Sequence, residues 1–515
     1  MDRKQVLPLL FSFLLITITF IFLLLKPWKK GNPSKARQQQ QPLLPPGPRK
    51  LPVIGNLHQL SSSKLLPHRR LQELAEAHGP LMHLQLGQLQ TIIVSSAEVA
   101  KQVMKTHDVT FSNRSFLLAA EIISHNRNLV FAPYGEYWRQ LRKVSVLELL
   151  SAKRVASFRP IREQEVARLV SDICCRQGSA INVSRMIISL TYRIISRAAF
   201  GKVYEAGSSF VPVVMEIVEV GSGFGVADAF PSFRFLQRVT GVRSRMQKLE
   251  RESDRILSCI IDEHIAAAAA KAGEGEKEEG VDDLVDVMLK LQKNEDLGFT
   301  LTTESVKSVL LDMIIAGSET SSTALEWTMS ELIRDERVMK MAQEEVRAVF
   351  AERRKVEETG IDELNYLKMV IRESLRLHPP LPLLIPRESL EQCEMEGYRI
   401  PEKTKVIVNA WAIGRDPKYW SEPERFYPER FMDSNSVDYK GNDFEFIPFG
   451  AGRRICPGIL FGVSSVETAV ANLLFHFDWR LPEGMKPESL DMSEQLGATA
   501  RRKNDLHLIP IVWQA

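Results

Sequence analysis

Phe449-Gly450-Ala451-Gly452-Arg453-Arg454-Ile455-Cys456-Pro457-Gly458 is the densest concentration of chemically useful residues in the chain. A lone cysteine ordinarily packs as a small hydrophobe, but its surroundings here favour another reading. Gly450, Gly452 and Gly458 let backbone approach another group closely. Arg453 and Arg454 favour a thiolate or an anionic ligand, and a helical pattern begins just after Gly458. A dinucleotide loop fails as an alternative, because Gly450-x-Gly452 lacks a third glycine and no strand leads into it. Three further groupings carry charge or hydroxyls at helical spacing. Glu373 and Arg376 stand three apart, hence on one helix face, where the plain reading is a solvated pair worth about 0.2–0.5 kcal/mol. Ala316-Gly317-Ser318-Glu319-Thr320-Ser321 interrupts an apolar helix with residues that are mediocre helix formers; its plain reading is a bend with hydroxyls bonded back to i−4 carbonyls. Trp138-Arg139-Gln140-Leu141-Arg142-Lys143 joins an anchoring aromatic to a basic patch, as a surface helix also would.

A thiolate at a helix N-terminus, with arginines available for carboxylates, is what holding a haem iron and its propionates requires. The elements needed to position it are legible. Val306, Val309, Leu310, Met313, Ile314 and Gly317 recur at i, i+3, i+4, i+7, i+8 and i+11, one face of a helix capped near Thr302 and running on through Trp327 and Leu332. A second helix, Leu367 to His378, ends against Pro379-Pro380. Leu81 to Ser95 reads as a hairpin turning at residues 86–88. Ala266 to Gly280 passes from an Ala-rich helix end into a Gly/Glu/Lys surface connection, and Asp282 to Gln292 resumes helical spacing. From Leu381 onward strands and loops should dominate, apart from one helix after Gly458. The fold class is mainly α with a smaller β region (α+β).

Composition narrows the partners. Sixty-seven Lys and Arg against 64 Asp and Glu leave +3 over 515 residues, which excludes the strong basic field of a nucleic-acid binder. The five cysteines form no C-x-x-C pair, so neither a disulfide framework nor a zinc cage is expected. Val6 to Leu25 is 20 residues without a charge, enough to cross the roughly 30 Å core of a bilayer as a helix. Lys26, Lys29, Lys30, Lys35 and Arg37 follow it, so the bulk of the chain is expected on the cytoplasmic side. The sequons at Asn113 and Asn182 then read as chance. Residues 1–30 form the membrane anchor in this reading. Residues 31–50, containing Pro45-Pro46-Gly47-Pro48, form a stiff extended spacer, and 51–515 one large catalytic domain.

Phe-x-x-Gly-x-Arg-x-Cys-x-Gly, matched by Phe449, Gly452, Arg454, Cys456 and Gly458, resembles the haem-thiolate signature of the cytochrome P-450 superfamily. That resemblance implies haem b as cofactor, Cys456 as the axial iron ligand, Arg454 as a propionate contact and Phe449 as an aromatic shield. Ala316, Gly317, Glu319, Thr320 and Ser321 are similar to the family's oxygen-activation motif, implying a helix opened for dioxygen, Thr320 serving its activation and Glu319 helping to deliver protons. Trp138 and Arg142 match the family's W-R-x-x-R element and imply propionate bonding; Arg387 resembles a further such contact. Glu373, Arg376 and Arg430 imply a buried triad. Pro423-Glu424-Arg425-Phe426 repeats the letters of Pro428-Glu429-Arg430-Phe431, which leaves Arg425 as the fallback. Arg139, Lys143, Lys153 and Arg453 would surround the thiolate side, where an acidic NADPH-cytochrome P-450 reductase is steered in.

The order of motifs is similar to the plant A-type group, particularly its terpenoid-oxidising members. The resemblance implies a membrane-anchored monooxygenase of the endoplasmic reticulum that uses dioxygen and reductase-delivered electrons on a hydrophobic specialised metabolite, a sesqui- or diterpenoid, with alkaloids and flavonoids as alternatives. The pocket is expected around Phe111 to His125, Leu311 to Ala316, Leu381 to Ile385 and Leu496 to Thr499. A haem-thiolate isomerase or dehydratase working without reductase is a different class of enzyme; Glu319-Thr320 argues against it.

Overall fold

The computed structural model describes residues 43–61, 65–203, 210–221, 225–274, 282–293, 299–432, 437–482, 484–495, 497 and 499–514. The expected membrane helix at 6–25 lies outside the described residues, as do Leu496 and the end of the Ala266–Gly280 tract. In chain order, the elements that build the site are α1 (Pro67–His78), β1 (Leu81–Leu86), β2 (Leu89–Val94), α2 (Leu118–Ile123), α3 (Glu136–Val144), α4 (Arg159–Cys174), α5 (Val183–Phe200), α6 (Phe210–Val220), α7 (Val226–Ala229), α8 (Val242–Glu274), α9 (Leu284–Gln292), α10 (Thr303–Arg334), α11 (Glu336–Phe350), α12 (Asn365–Leu377), β3 (Arg387–Glu388), β4 (Lys405–Val408), α13 (Ile459–His476), β5 (Phe477–Arg480), β6 (Glu494–Gln495), β7 (Arg501–Arg502) and β8 (His507–Val512).

Helix α10 is the axis. Thr302 caps it by accepting the Ser305 N–H at 3.2 Å, and apolar residues from Val306 to Ile333 are buried against α5, α13 and α12. Gly317 permits the closest of these crossings, since a Cβ there would sit 3.0 Å from Ile195 Cγ1 on α5. The expected opening of the helix at Ala316–Ser321 is absent: α10 is continuous from Thr303 to Arg334. The Ser318 hydroxyl donates to the Ile314 carbonyl and that of Thr320 to the Ala316 carbonyl, each at 2.6 Å. Side-chain donors thus satisfy the carbonyls of this turn without breaking the ladder.

The main sheet has the order β1-β2-β4-β3. β1 and β2 form the expected antiparallel hairpin with Gly87 in the left-handed region at φ 61°, β4 runs parallel to β2, and β3 antiparallel to β4. Among the described residues the C-terminal region also holds a short α-helix that was not expected, Ala410–Ile413, which the Asn409 side chain caps by accepting the Ala412 N–H. The Pro-rich tract also departs from a free spacer where it is described. Residues 43–50 have no helix or strand, and the Pro46 carbonyl accepts the His83 N–H at 2.8 Å on the open edge of β1. Any Cβ on Gly47 would stand 2.0 Å from the His83 carbonyl oxygen. Both sequon asparagines are occupied: Asn113 holds Glu388 and Asn182 caps α5.

Glu373 on α12 ties the helices to the irregular segment after β4. Its side chain and that of Arg376 are fully buried, 2.7 Å apart, and Arg430 Nε donates to the same carboxylate at 3.0 Å, as does the Tyr427 N–H at 2.8 Å. Arg376 also donates to the Gly414 and Pro423 carbonyls at 2.6 and 2.7 Å. Arg425 is turned to solvent and paired with exposed Glu422. Replacing Glu373 by Gln leaves two guanidiniums short of their anion and should cost about 3 kcal/mol in urea unfolding, whereas Arg425→Ala should cost under about 1 kcal/mol.

Candidate active site

Cys456 stands between a short turn, Gly452–Arg454, and α13. Its N–H donates to the Phe449 carbonyl at 3.0 Å, closing the loop. Gly450 and Gly452 adopt φ of 71° and 69°, and at Gly452 a Cβ would lie 2.1 Å from the Met104 carbonyl oxygen. Glycine is therefore required there by both conformation and space. What remains uncovered of the thiol faces a cavity of about 240 Å³ whose other walls include Trp138, Ile195, Ala316, Thr320 and Phe449. Burial pushes the Cys456 thiol up, while the Gly458 N–H and the Arg142 guanidinium act in the opposite direction. Phe449 lies edge-on to Tyr439, ring centres 5.3 Å apart. All five cysteines are free.

Four arginines line this cavity: Arg114, Arg142, Arg387 and Arg454. Arg142 donates to the Ile455 carbonyl at 2.6 Å and Arg387 to that of Ala451 at 2.7 Å. Arg454 donates to the Ser112 and Ala132 carbonyls at 2.9 and 2.7 Å, with its guanidinium 4.0 Å over the Trp138 ring. Trp138 is thus a platform for Arg454, and its indole N–H is given to the Leu129 carbonyl at 3.0 Å. Arg114 donates to the Val130 and Ile385 carbonyls at 2.9 and 2.8 Å. Against these four, the paired carboxylate is Asp108, which Arg387 shares with the half-exposed Arg453. Burial first, then mutual repulsion, pulls Arg454 down to about 9, and the same causes hold Arg114 well below the ordinary range. Buried positive charge in this excess fits a ligand carrying carboxylates, and a cysteine across the same cavity fits an iron.

A second cavity, about 260 Å³, shares Ala316, Thr320, Leu381, Leu384 and Ile385 with the first. Parts of its wall fall where expected, at 115–124, 311–316, 381–385 and Thr499. It also takes in Ile217 and Val218 of α6 and Lys405 of β4. Glu319 faces this cavity but is engaged, accepting the Thr499 hydroxyl at 2.7 Å and the Arg501 guanidinium. Asp312, one helical turn before Ala316, lines both cavities and accepts the Asn128 amide and the Val130 N–H at 2.7 and 3.1 Å.

Arg114 and Asp312 fall within segments expected to line the pocket without being singled out there, whereas Lys405 lies outside those segments. Asp312 carried a signal, being the one charge between Lys307 and Glu319 on an otherwise apolar face. Arg114 had none, since its partners are backbone carbonyls.

Comparison with known proteins accords with this geometry. The family model described as Cytochrome P450 matches residues 45–508. The chain is 52% identical over 499 residues to the desmethyl-deoxy-podophyllotoxin synthase of Sinopodophyllum hexandrum, covering 96% of both chains. It is 46% identical over 499 residues to the premnaspirodiene oxygenase of Hyoscyamus muticus, covering 96% of this chain and 97% of that one. A solved zebra fish cytochrome P450, recorded with abiraterone, shares the fold at a TM-score of 0.72 and 24% identity, over 88% of this chain and 100% of that one. The chain belongs to the cytochrome P450 family and sides with its plant A-type members. It is a haem b monooxygenase.

Burial pushes the Asp312 carboxyl up to about 7, against the hydrogen bonds from Asn128 and Val130. The folded chain therefore holds this proton more tightly than the unfolded one, where the group titrates near about 4. The resulting stabilisation is complete below about pH 4 and is lost as the pH rises through about 7. Asp312→Asn should lack that dependence. Its stability relative to the unsubstituted protein should climb by about 4 kcal/mol between about pH 4 and pH 8, as read by urea unfolding.

Proposed function

We propose that this chain is anchored in the endoplasmic reticulum membrane, takes electrons from an NADPH-cytochrome P-450 reductase, and oxidises a hydrophobic plant specialised metabolite, a sesqui- or diterpenoid. The observation that carries the reading is the arrangement of Cys456 and four under-neutralised guanidiniums, two buried and two half-buried, on one cavity that opens past Ala316 and Thr320 into a second, largely apolar one. In this reading Cys456 holds the haem iron, and Arg114, Arg142, Arg387 and Arg454 hold the propionates. Bound haem supplies reductive activation of dioxygen and transfer of one oxygen atom into a C–H bond.

The remaining steps belong to the chain's own residues. The Gly458 N–H and Arg142 favour the thiolate of Cys456, and Phe449 shields it from solvent. Thr320 lies at the junction of the two cavities, its hydroxyl proton parked on the Ala316 carbonyl. A rotation about χ1 turns that hydroxyl to the cavity, where it offers a hydrogen bond at the boundary between the two cavities. Glu319 is held by Arg501 and Thr499, which fixes the next position of the same turn and places a carboxylate one residue from Thr320. The apolar second cavity excludes water and accepts a hydrophobic skeleton. Exposed Lys143 and Lys153, free of ion pairs among the described residues, join Arg139 and Arg453 as the basic surface offered to the acidic reductase. Similarity to a premnaspirodiene oxygenase supports the terpenoid class.

Reduced full-length protein in microsomes, exposed to carbon monoxide, should give the red-shifted Soret band of thiolate-ligated haem, and Cys456→Ser should abolish it. A folded protein whose band survives that substitution overturns the ligand assignment. Thr320→Ala should lower product formed per NADPH consumed by about tenfold, the scale of one lost hydrogen bond, while NADPH oxidation continues. Turnover of a terpene panel, with alkaloids and flavonoids as controls, reads the substrate class directly.

A further inference from the structure

The wall of the second cavity holds one group that an apolar substrate does not explain. Lys405 is 8% exposed and lies on β4, hydrogen-bonded through its backbone between β2 and β3. Side chains two apart on a strand share a face, and Lys405 and Ile407 both line the cavity. With neighbours on both sides, the strand cannot turn this side chain elsewhere. The other buried polar side chains on the wall have partners: His68 bonds Glu494, Ser124 the Ala120 carbonyl, Asn128 Asp312, and Glu319 Thr499. Lys405 has none; among the described residues no carboxylate lies within hydrogen-bonding or ion-pair distance of its ammonium.

Asp228 of α7 is the nearest compensating charge, acting at a distance, and its carboxylate is already occupied by the Leu118 N–H at 2.9 Å. Burial pulls the Lys405 ammonium down from the ordinary lysine range, against the pull of Asp228. A charge with so little solvent and no direct partner is stabilised by an acceptor arriving with the ligand. Lys405 lines the second cavity and not the one that contains Cys456, so that acceptor belongs to the end of the ligand away from the thiol.

We propose that Lys405 is a specificity-determining residue whose ammonium donates a hydrogen bond to a carbonyl, hydroxyl or carboxylate oxygen at the far end of the substrate, so that the enzyme takes an already oxygenated hydrophobic molecule in preference to a bare hydrocarbon. The inference rests on the monooxygenase reading of the two cavities and narrows its substrate class. It also places the enzyme after a reaction that installs oxygen on the skeleton.

The test uses full-length haem-loaded protein and a matched series on one eudesmane skeleton: hydrocarbon, alcohol, ketone and carboxylate. Displacement of the Soret band on titration gives each Kd. The unsubstituted protein should bind at least one oxygenated member about tenfold or more tightly than the hydrocarbon, a factor set by one good hydrogen bond. Lys405→Met should erase that ratio by weakening the oxygenated ligand and leaving the hydrocarbon unchanged, and Lys405→Arg should restore most of it. Preference for the ketone and alcohol identifies a neutral acceptor, and preference for the carboxylate an ion pair. Equal binding of all four by the unsubstituted protein, or a preference that survives Lys405→Met, overturns the proposal. The carbon monoxide band of each variant keeps the outcomes apart, since its loss indicts the haem-thiolate reading and its retention confines any failure to Lys405.

Discussion

Four guanidiniums gathered around one cavity, with little carboxylate to neutralise them, govern the irregular part of this molecule. An arginine cannot shed its charge, so each must be solvated by whatever the chain can turn towards it. Here that is backbone. Carbonyls of Ser112, Leu129, Val130, Ala132, Ile385, Pro386, Ala451 and Ile455 all accept from Arg114, Arg142, Arg387 or Arg454. All eight of these residues lie outside helix and strand, with their carbonyls turned to the guanidiniums. The loops before α3, before β3 and before α13 are therefore irregular because they wrap charges, and they hold the cavity's shape as a result.

The buried anion at Glu373 is the complementary arrangement. One carboxylate gathers two arginines and an N–H, and Arg376 in turn gathers carbonyls from the segment after β4. A stretch with almost no regular structure is thereby fastened to α12 and, through it, to the central helix. Trp327 on that helix stacks on His378 at the end of α12, ring centres 4.1 Å apart and nearly parallel, while His378 bonds Glu331 at 2.7 Å. Polar contacts of this kind set the angle between helices that apolar packing alone would leave adjustable.

Much of this was legible in the sequence, and the exceptions have physical causes. The 3.6-residue period of α10, its Thr302 cap and the Pro379 stop after α12 are local signals, and local structure follows them. Cys456 was marked by the glycines and arginines around it. Arg114 and Lys405 carried no mark, because what distinguishes them is a set of distant backbone carbonyls in one case and the lack of a partner in the other. Neither leaves a pattern along the chain. The docking of the tract at 43–50 depends on the His83 N–H at the edge of β1, which composition does not reveal. Serine and threonine in α10 suggested either an opening or back-bonding, and the unbroken ladder decides for back-bonding.

Ala316 and Thr320 form part of the wall of both cavities, whereas Ile217 and Val218 on α6 touch only the second. Accumulated change in such a molecule has unequal routes open to it. A bulkier residue at the shared wall alters ligand fit and the cofactor chamber together, so most variation there is lost to selection. Variation on α6 reshapes one chamber while leaving the other alone. Diversification among related enzymes should accordingly run through the peripheral helix, with the central one nearly fixed.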